Sequence, residues 1–330
     1  MKHVALKDIA EVTGLSVNSV SRALNNKDGI SDETRAMVQR VAKEMGYIPN
    51  SLASSMRSGK TYSIAILLGE IMNPYNAFLM NHLISQLHEH GYTTLTFVTN
   101  QQRSHEDRAI QDAISKNVDA MILCTQLRTD SMKLIEEYGI PFVQIGLVTK
   151  QPTFYQVSKD EFHSGYIAAK YLLENGHRDI LYIVFPTKYF AFSRERIEGF
   201  RRAHEEFGVP FDEERLCVYY REDTVKNIME RMLRETTFTA VVAGNDVQAW
   251  QVVEALRENG REVPRDCAVV GFDDLQSFIQ VPYKLTTVAS DLSALSHRAV
   301  DLLMSQLDGE TEDGPRVYTE KTYLVEGQST

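Results

Sequence analysis

Along the first 48 residues, apolar side chains recur at helical spacing in three short blocks. Leu6, Ile9, Ala10 and Thr13 form the first, and Gly14 predicts a tight turn that stops it. Ser16 is a good N-cap for a second helix whose Val20, Ala23 and Leu24 face inward. Ser31 is an N-cap for a third, with Asp32 and Glu33 at the positive end of its dipole. Met37, Val38, Val41 and Met45 give that helix an apolar stripe, and Gly46 ends it. Two short helices joined by a tight turn containing Gly make a helix-turn-helix pattern. A three-helix domain that binds protein, its polar face merely solvated, has the same spacing, so the pattern alone leaves both readings open.

Pro49 cannot continue the third helix, and the Ser-rich run SLASSMRSGKT follows it. A helix this short and polar is marginal in water, so residues 49–60 are expected to be a flexible linker, or hinge, after a head of residues 1–48.

From Tyr62 onward the period changes. Apolar runs at SIAILL, TTLTFV, AMILC, PFVQI, ILYIVF, TAVVAG and CAVVGF alternate with amphipathic stretches such as AFLMNHLISQLHEHG and AWQVVEALRENG. Buried apolar strands alternating with helices predict parallel sheets covered on both faces. The pattern runs once to about residue 158 and again to about 288, predicting two similar doubly wound α/β lobes in residues 61–330. The final strands, TTVA and VYTEKTYLV, are expected to cross between lobes. The expected first lobe is about 61–158 plus 289–318, and the second about 159–288 plus 319–330. Ligands of such sheets sit outside the carboxyl ends of the strands, which here means a cleft between lobes.

Composition sharpens this. The net charge is −10, yet residues 1–60 hold nine Lys and Arg against six Asp and Glu, whereas the rest hold 26 against 39. A basic head on an acidic core points to nucleic acid at the head. Cys124, Cys217 and Cys267 are few, far apart and set in apolar surroundings, the pattern of small core residues in a reducing compartment. No run of about 18 apolar residues exists to span a membrane. The opening MKHVALKDIA has no apolar stretch of the kind a secretory leader uses, which predicts a cytoplasmic protein and argues against a secreted sugar-binding protein. No Gly-rich dinucleotide turn, P-loop or G-x-S-x-G elbow occurs, so no enzyme signature is present and no cofactor is expected. His88 and His90 lie two apart on a helix and diverge, which is wrong for a metal.

The exposed side of the second helix suits base edges. Asn18 matches adenine, Arg22 matches guanine, and the Val17 methyls match the methyl of thymine. Ser16, Ser19, Ser21 and Thr34 suit phosphate oxygens. In the core, the loops after strands offer Asn73, Tyr75 and Phe78, then Asn100, Thr125, Asp160, Arg194, Arg196, Asn245 and Asp273. Carboxylates that accept, Asn and Arg that donate, and Tyr75, Phe78 or Trp250 as apolar covers suit a hydroxyl-rich small molecule. Asn, Asp and Arg at strand ends also cap helices, and each residue alone is open to that simpler role.

The stretch from Val4 to Asn50 resembles the amino-terminal head of the lactose-repressor family of bacterial regulators. Its landmarks are KDIA, the G-x-S-x-x-S-VSR-x-LN core, S-x-x-TR and GYIPN. The resemblance reaches the whole chain through NPYNAFL, Asp160, R-x-R-x-x-GF, GNDVQAWQ, AVVGFDD and LTTV. It implies a homodimer on a pseudo-palindromic duplex, a periplasmic-binding-protein-like core and a small-molecule effector between the lobes. It implies that Val17, Asn18 and Arg22 face bases with Asn25, Tyr47 and Asn50 in support. It further implies that the hinge enters the minor groove around Ala53, with Met56 as the wedge. Effector contact falls by similarity on Asn73, Tyr75, Phe78, Arg194, Arg196, Asn245 and Asp273. Three departures stand out. Ser54 replaces a usual Arg, Gln144-Ile145-Gly146-Leu147 replaces an Asp-Arg pair, and Ala289-Ser290 follows TTV where many relatives have Gln. The effector is expected to be a sugar or sugar derivative, with a purine-like metabolite as the alternative.

Overall fold

A computed structural model describes residues 4–48, 59–146, 153–188, 190–220, 222–310 and 316–330. The chain divides into two units, Met1–Thr61 and Tyr62–Thr330.

In the first unit, α1 (Leu6–Thr13) stops at Gly14, whose φ of 69° is a left-handed conformation that favours glycine. Ser16 caps α2 (Val17–Leu24) by accepting from the Ser19 N–H at 3.0 Å. Ser31 caps α3 (Asp32–Glu44) through the Thr34 N–H at 3.3 Å. Ile9, Val20, Ala23 and Val38 are wholly buried where the three helices meet. Each such Ile or Val contributes about 1.5–3 kcal/mol, enough together to hold a small head. Asn26 ties the loop after α2 to α3 by accepting from Arg35 at 3.3 Å and Gln39 at 3.1 Å.

The second unit holds two six-stranded sheets. In chain order the elements are β1 (Ser63–Leu68), α4 (Pro74–Glu89), β2 (Thr93–Val98), α5 (Arg103–Ser115), β3 (Ala120–Cys124), α6 (Thr129–Glu137), β4 (Phe142–Ile145) and β5 (Tyr155–Lys159). There follow α7 (Glu161–Glu174), β6 (Ile180–Val184), α8 (Ala191–Glu206), β7 (Leu216–Val218), α9 (Val225–Glu235), β8 (Ala240–Val242), α10 (Asp246–Glu258), β9 (Ala268–Phe272) and β10 (Thr286–Ser290). The chain ends with α11 (Leu292–Leu307), β11 (Val317–Glu320) and β12 (Thr322–Val325). The first sheet runs β11-β5-β4-β3-β1-β2, all parallel. The second runs β12-β10-β9-β8-β6-β7, with only β12 antiparallel.

The chain passes between lobes three times, at Asp160, Asp291 and Lys321, and the Asp160 N–H donates to the Glu320 carbonyl at 3.0 Å where two crossings meet. These positions correct the expected divisions by one to three residues. Thr286–Ser290 lies wholly in the second sheet, because Ala289 and Ser290 pair with Tyr323 and Thr322 of β12. α11 then packs in the first lobe through Leu292, Leu295 and Leu303.

Two strands fall outside the expected apolar runs: β5 is the largely polar Tyr-Gln-Val-Ser-Lys, and β7 is the three-residue Leu-Cys-Val. β5 is buried despite its polarity, with Gln156 and Ser158 fully enclosed. In α7 and α8, Gly165 and Gly199 let the two backbones touch. A Cβ on Gly165 would sit 2.2 Å from the Arg196 carbonyl oxygen, and one on Gly199 would sit 2.2 Å from that of Phe162. That approach fixes Arg196 beside Glu161.

Candidate functional site

On the head, α2 presents a continuous polar face with one apolar spot. Val17 is 46% exposed, and Asn18 and Arg22 are exposed beside it, one helical turn apart. The Ser16 and Ser19 hydroxyls are hydrogen-bonded to each other at 2.9 Å. Arg22 donates to the Asp28 carbonyl, and Asn25 donates to the Ser21 carbonyl at 2.7 Å. Both side chains are thereby held at the edge of the same face. Tyr47 is half-buried against the head core. Asn50, Ala53 and Met56 lie outside the described residues.

Between the lobes, the strand ends converge on a buried set of charges. Lys159 closes β5 on the first lobe and donates to Asp273 Oδ1 of the second at 2.9 Å. Its Nζ lies 3.9 Å from Glu161 Oε1 and 4.4 Å from the centre of the Tyr75 ring. Glu161 in turn accepts from Arg196 Nε at 2.7 Å. Arg196 also donates to the Gly244 carbonyl at 2.9 Å, with its guanidinium 5.0 Å from the Phe192 ring. The nearby Asp273 holds the Lys159 ammonium above its ordinary range despite burial, which by itself lowers it. Burial pushes the Tyr75 phenol up to about 12. Both stay protonated at neutral pH.

Asp273 is held rigidly. Its φ is 98°, strained for a residue with a side chain, and its N–H donates to the Val288 carbonyl at 2.9 Å. Below it lies Asp246, fully buried, accepting from the Thr287 hydroxyl at 2.6 Å and the Leu275 N–H at 2.8 Å. Burial pushes this carboxyl up to about 8, so it is largely neutral at pH 7. Gly271 is required here, since a Cβ would sit 2.2 Å from Asp246 Oδ1.

Of the ten residues singled out in the core, the structure brings Tyr75, Arg196 and Asp273 into this charge network. Asn73, Asp160 and Asn245 spend their side-chain oxygens capping α4, α7 and α10, accepting from Tyr75, His163 and Gln248 N–H groups at 3.0, 2.8 and 2.9 Å. Asn100 follows β2 in a left-handed turn (φ 49°), and Thr125 packs against Gly69 at the end of β1. Arg194 is exposed, 3.5 Å from the Thr187 carbonyl. Phe78 stacks on Phe278 of the other lobe with ring centres 4.6 Å apart. Trp250, suggested as a cover, instead donates to the Tyr283 carbonyl at 3.1 Å and packs on the second lobe's core.

Sequence reasoning missed Lys159, Glu161 and the aromatic group after β6. Phe185, Phe190 and Phe192 lie 5.3–5.8 Å from one another, with Tyr219 5.9 Å from Phe185. Spacing gave a signal for the rings, three within eight residues of a strand end. Lys159 gave none, because β5 does not read as a buried strand. The three thiols are free, and burial pushes Cys124, Cys217 and Cys267 up to about 12, 11 and 12, which leaves them inert.

Residues 5–50 match the family described as bacterial regulatory proteins, lacI family, and residues 169–330 match the periplasmic binding protein-like domain. The HTH-type transcriptional regulator DegA of Bacillus subtilis (strain 168) is 32% identical over 299 residues, 88% of each chain. The HTH-type transcriptional repressor PurR of Edwardsiella ictaluri is 28% identical, over 94% of this chain and 93% of that one. The lac repressor dimer solved with operator and the anti-inducer ONPF shares the fold, with a TM-score of 0.87 at 21% identity over 99% of each chain. The transcriptional regulator CelR–cellobiose complex has a TM-score of 0.74 at 26% identity, covering 99% of this chain and all of the other. Head and core together therefore define a DNA-binding transcriptional regulator with a small-molecule effector domain, not an enzyme. The chain belongs to the lacI family of bacterial regulatory proteins. No helix among the described residues is long and apolar enough to cross a membrane.

Proposed function

We propose that this protein is a cytoplasmic repressor, bound as a homodimer to a pseudo-palindromic operator and released or tightened by a sugar or sugar derivative. Val17, Asn18 and Arg22 read bases, while Ser16, Ser19, Ser21, Asn25 and Tyr47 hold the phosphate backbone. Asn50 supports that contact, and Ala53 and Met56 extend it into the minor groove. One head offers few base contacts, so affinity needs two heads on related half-sites.

The single observation that carries the sugar reading is the charge balance of the cleft. Two cations, Lys159 and Arg196, face two carboxylates, Glu161 and Asp273, beside the Tyr75 ring. Such a set repels neither sign and attracts neither, yet is rich in donors and acceptors. A neutral polyol satisfies both, and the similarity to the cellobiose-bound regulator supports the same class. Binding one lobe arrangement better than the other couples cleft to operator by about 1–3 kcal/mol.

A purine-like effector is the second reading, favoured by the Phe185, Phe190, Phe192 and Tyr219 rings and by similarity to PurR. Thermal shift on the full chain with cellobiose, ribose, hypoxanthine and guanine separates them. A ligand at one hundred times its Kd stabilises by about 2.7 kcal/mol. A rise with a sugar supports the first reading; a rise with nucleobases alone replaces it with the second.

A further inference from the structure

The Asp273 carboxylate, the group in this cleft best placed to accept from an effector, already has a partner from its own chain. Lys159 reaches it from the opposite lobe at 2.9 Å, and both side chains are nearly out of solvent, at 12% and 7% exposure. The lysine and Tyr75 belong to the first lobe; Asp273 and Glu161 belong to the second. We propose that Lys159 is a self-held stand-in for the effector, clasping the lobes together in the unliganded protein until a ligand takes its place on Asp273.

The two partners are unequal in a way that assigns the moving part. Asp273 sits on strained backbone anchored to Val288, directly above the Asp246 bonds that pin Leu275 and Thr287. Lys159 projects from a strand end on a flexible four-carbon stem. Withdrawal of the lysine leaves the carboxylate in place for a ligand, whereas movement of Asp273 disrupts the loop beneath it. Separation of the lobes strips Lys159 of Asp273, its closest carboxylate, while Glu161 stays beside the crossing at Asp160. A buried ion pair is costly to break when nothing replaces the lost partner, so closure without ligand follows from the same geometry. This inference rests on reading the cleft as the effector site.

Hydrogen exchange on the ligand-free full chain tests it. The amides of 69–73 and 273–277, on facing strand ends, report cleft opening. Lys159→Met is expected to speed their exchange more than roughly tenfold, leaving the sheet interiors unchanged, while Lys159→Arg, which keeps the charge, stays at the wild-type rate. If Lys159→Met does not fold, Asp273→Asn takes its place with the same expectation. Unchanged exchange in the uncharged variant, or equal loosening in Lys159→Arg, overturns the proposal. Because no ligand is present, failure of sugars and nucleobases to bind would sink the effector reading without altering this result.

Discussion

The guanidinium of Arg196 lies 3.9 Å from the centre of the Phe272 ring while its Nε holds Glu161. A planar cation stacked on an aromatic face and paired edge-on is a geometry that lysine does not reproduce. Arg196 therefore joins α7, α8 and β9 as well as facing the cleft. Replacement by Gln leaves Glu161 buried without its closest partner, and the expected loss is about 3 kcal/mol of core stability. Denaturant unfolding of residue-196 variants checks this, and a loss below about 1 kcal/mol would show that the stack carries little.

The helix pair gives a second expectation. Gly199→Ala places a methyl against the Phe162 carbonyl at a distance no real contact shows, so α7 and α8 must move apart. The expected cost is about 1–3 kcal/mol, together with a weaker ligand response because Arg196 rides on α8. A variant as stable and responsive as wild type would mean the helices accommodate the methyl freely.

Asp246 ties stability to pH. Its carboxyl titrates near 8 in the folded chain, above the unfolded value of about 4, so the folded state binds the proton more tightly. That stability is fully present below pH 4 and is lost as pH rises towards 8, by up to about 1.4 kcal/mol per unit. Asp246→Asn keeps the shape, accepts from Leu275 and donates to Thr287. Melting curves from pH 5 to 8.5 are expected to fall for wild type more steeply than for the variant. Parallel curves would contradict the assignment.

On the head, Arg22→Ala is expected to weaken specific binding by about 1–3 kcal/mol and relax the preference at one base pair. In the free head the side chain is parked on the Asp28 carbonyl, so its loss leaves the fold intact. Competition binding with single-base variants of the site measures this. Equal loss on every sequence would make Arg22 a phosphate contact.

The head was legible in the sequence nearly to the residue, because Gly14, Ser16 and Ser31 are punctuation whose chemistry allows one local structure. The runs SIAILL and AMILC marked β1 and β3 for a related reason: parallel strands buried on both faces must be apolar throughout. TTLTFV marked β2 by its β-branched and aromatic residues, although this edge strand stays partly exposed along its length. β5 escaped because its buried positions are filled by Gln156 and Ser158, and Lys159 escaped with it. Tyr75, Arg196 and Asp273 were found from strand ends and family landmarks. What pairs them is tertiary: Lys159 and Asp273 are 114 residues apart, and no local pattern announces their meeting. The lobe crossings at Asp291 and Lys321 were displaced because β10 and β12 take their register from each other rather than from the apolar run.

The most direct measurement of the central claim is selection by the full chain from randomised duplexes at moderate salt. Bound sequences are expected to converge on two half-sites related by a dyad, with the Val17→Ala, Asn18→Ala and Arg22→Ala variants each changing the selected bases. No enrichment over random competitor, with sugars and nucleobases present or absent, would contradict it.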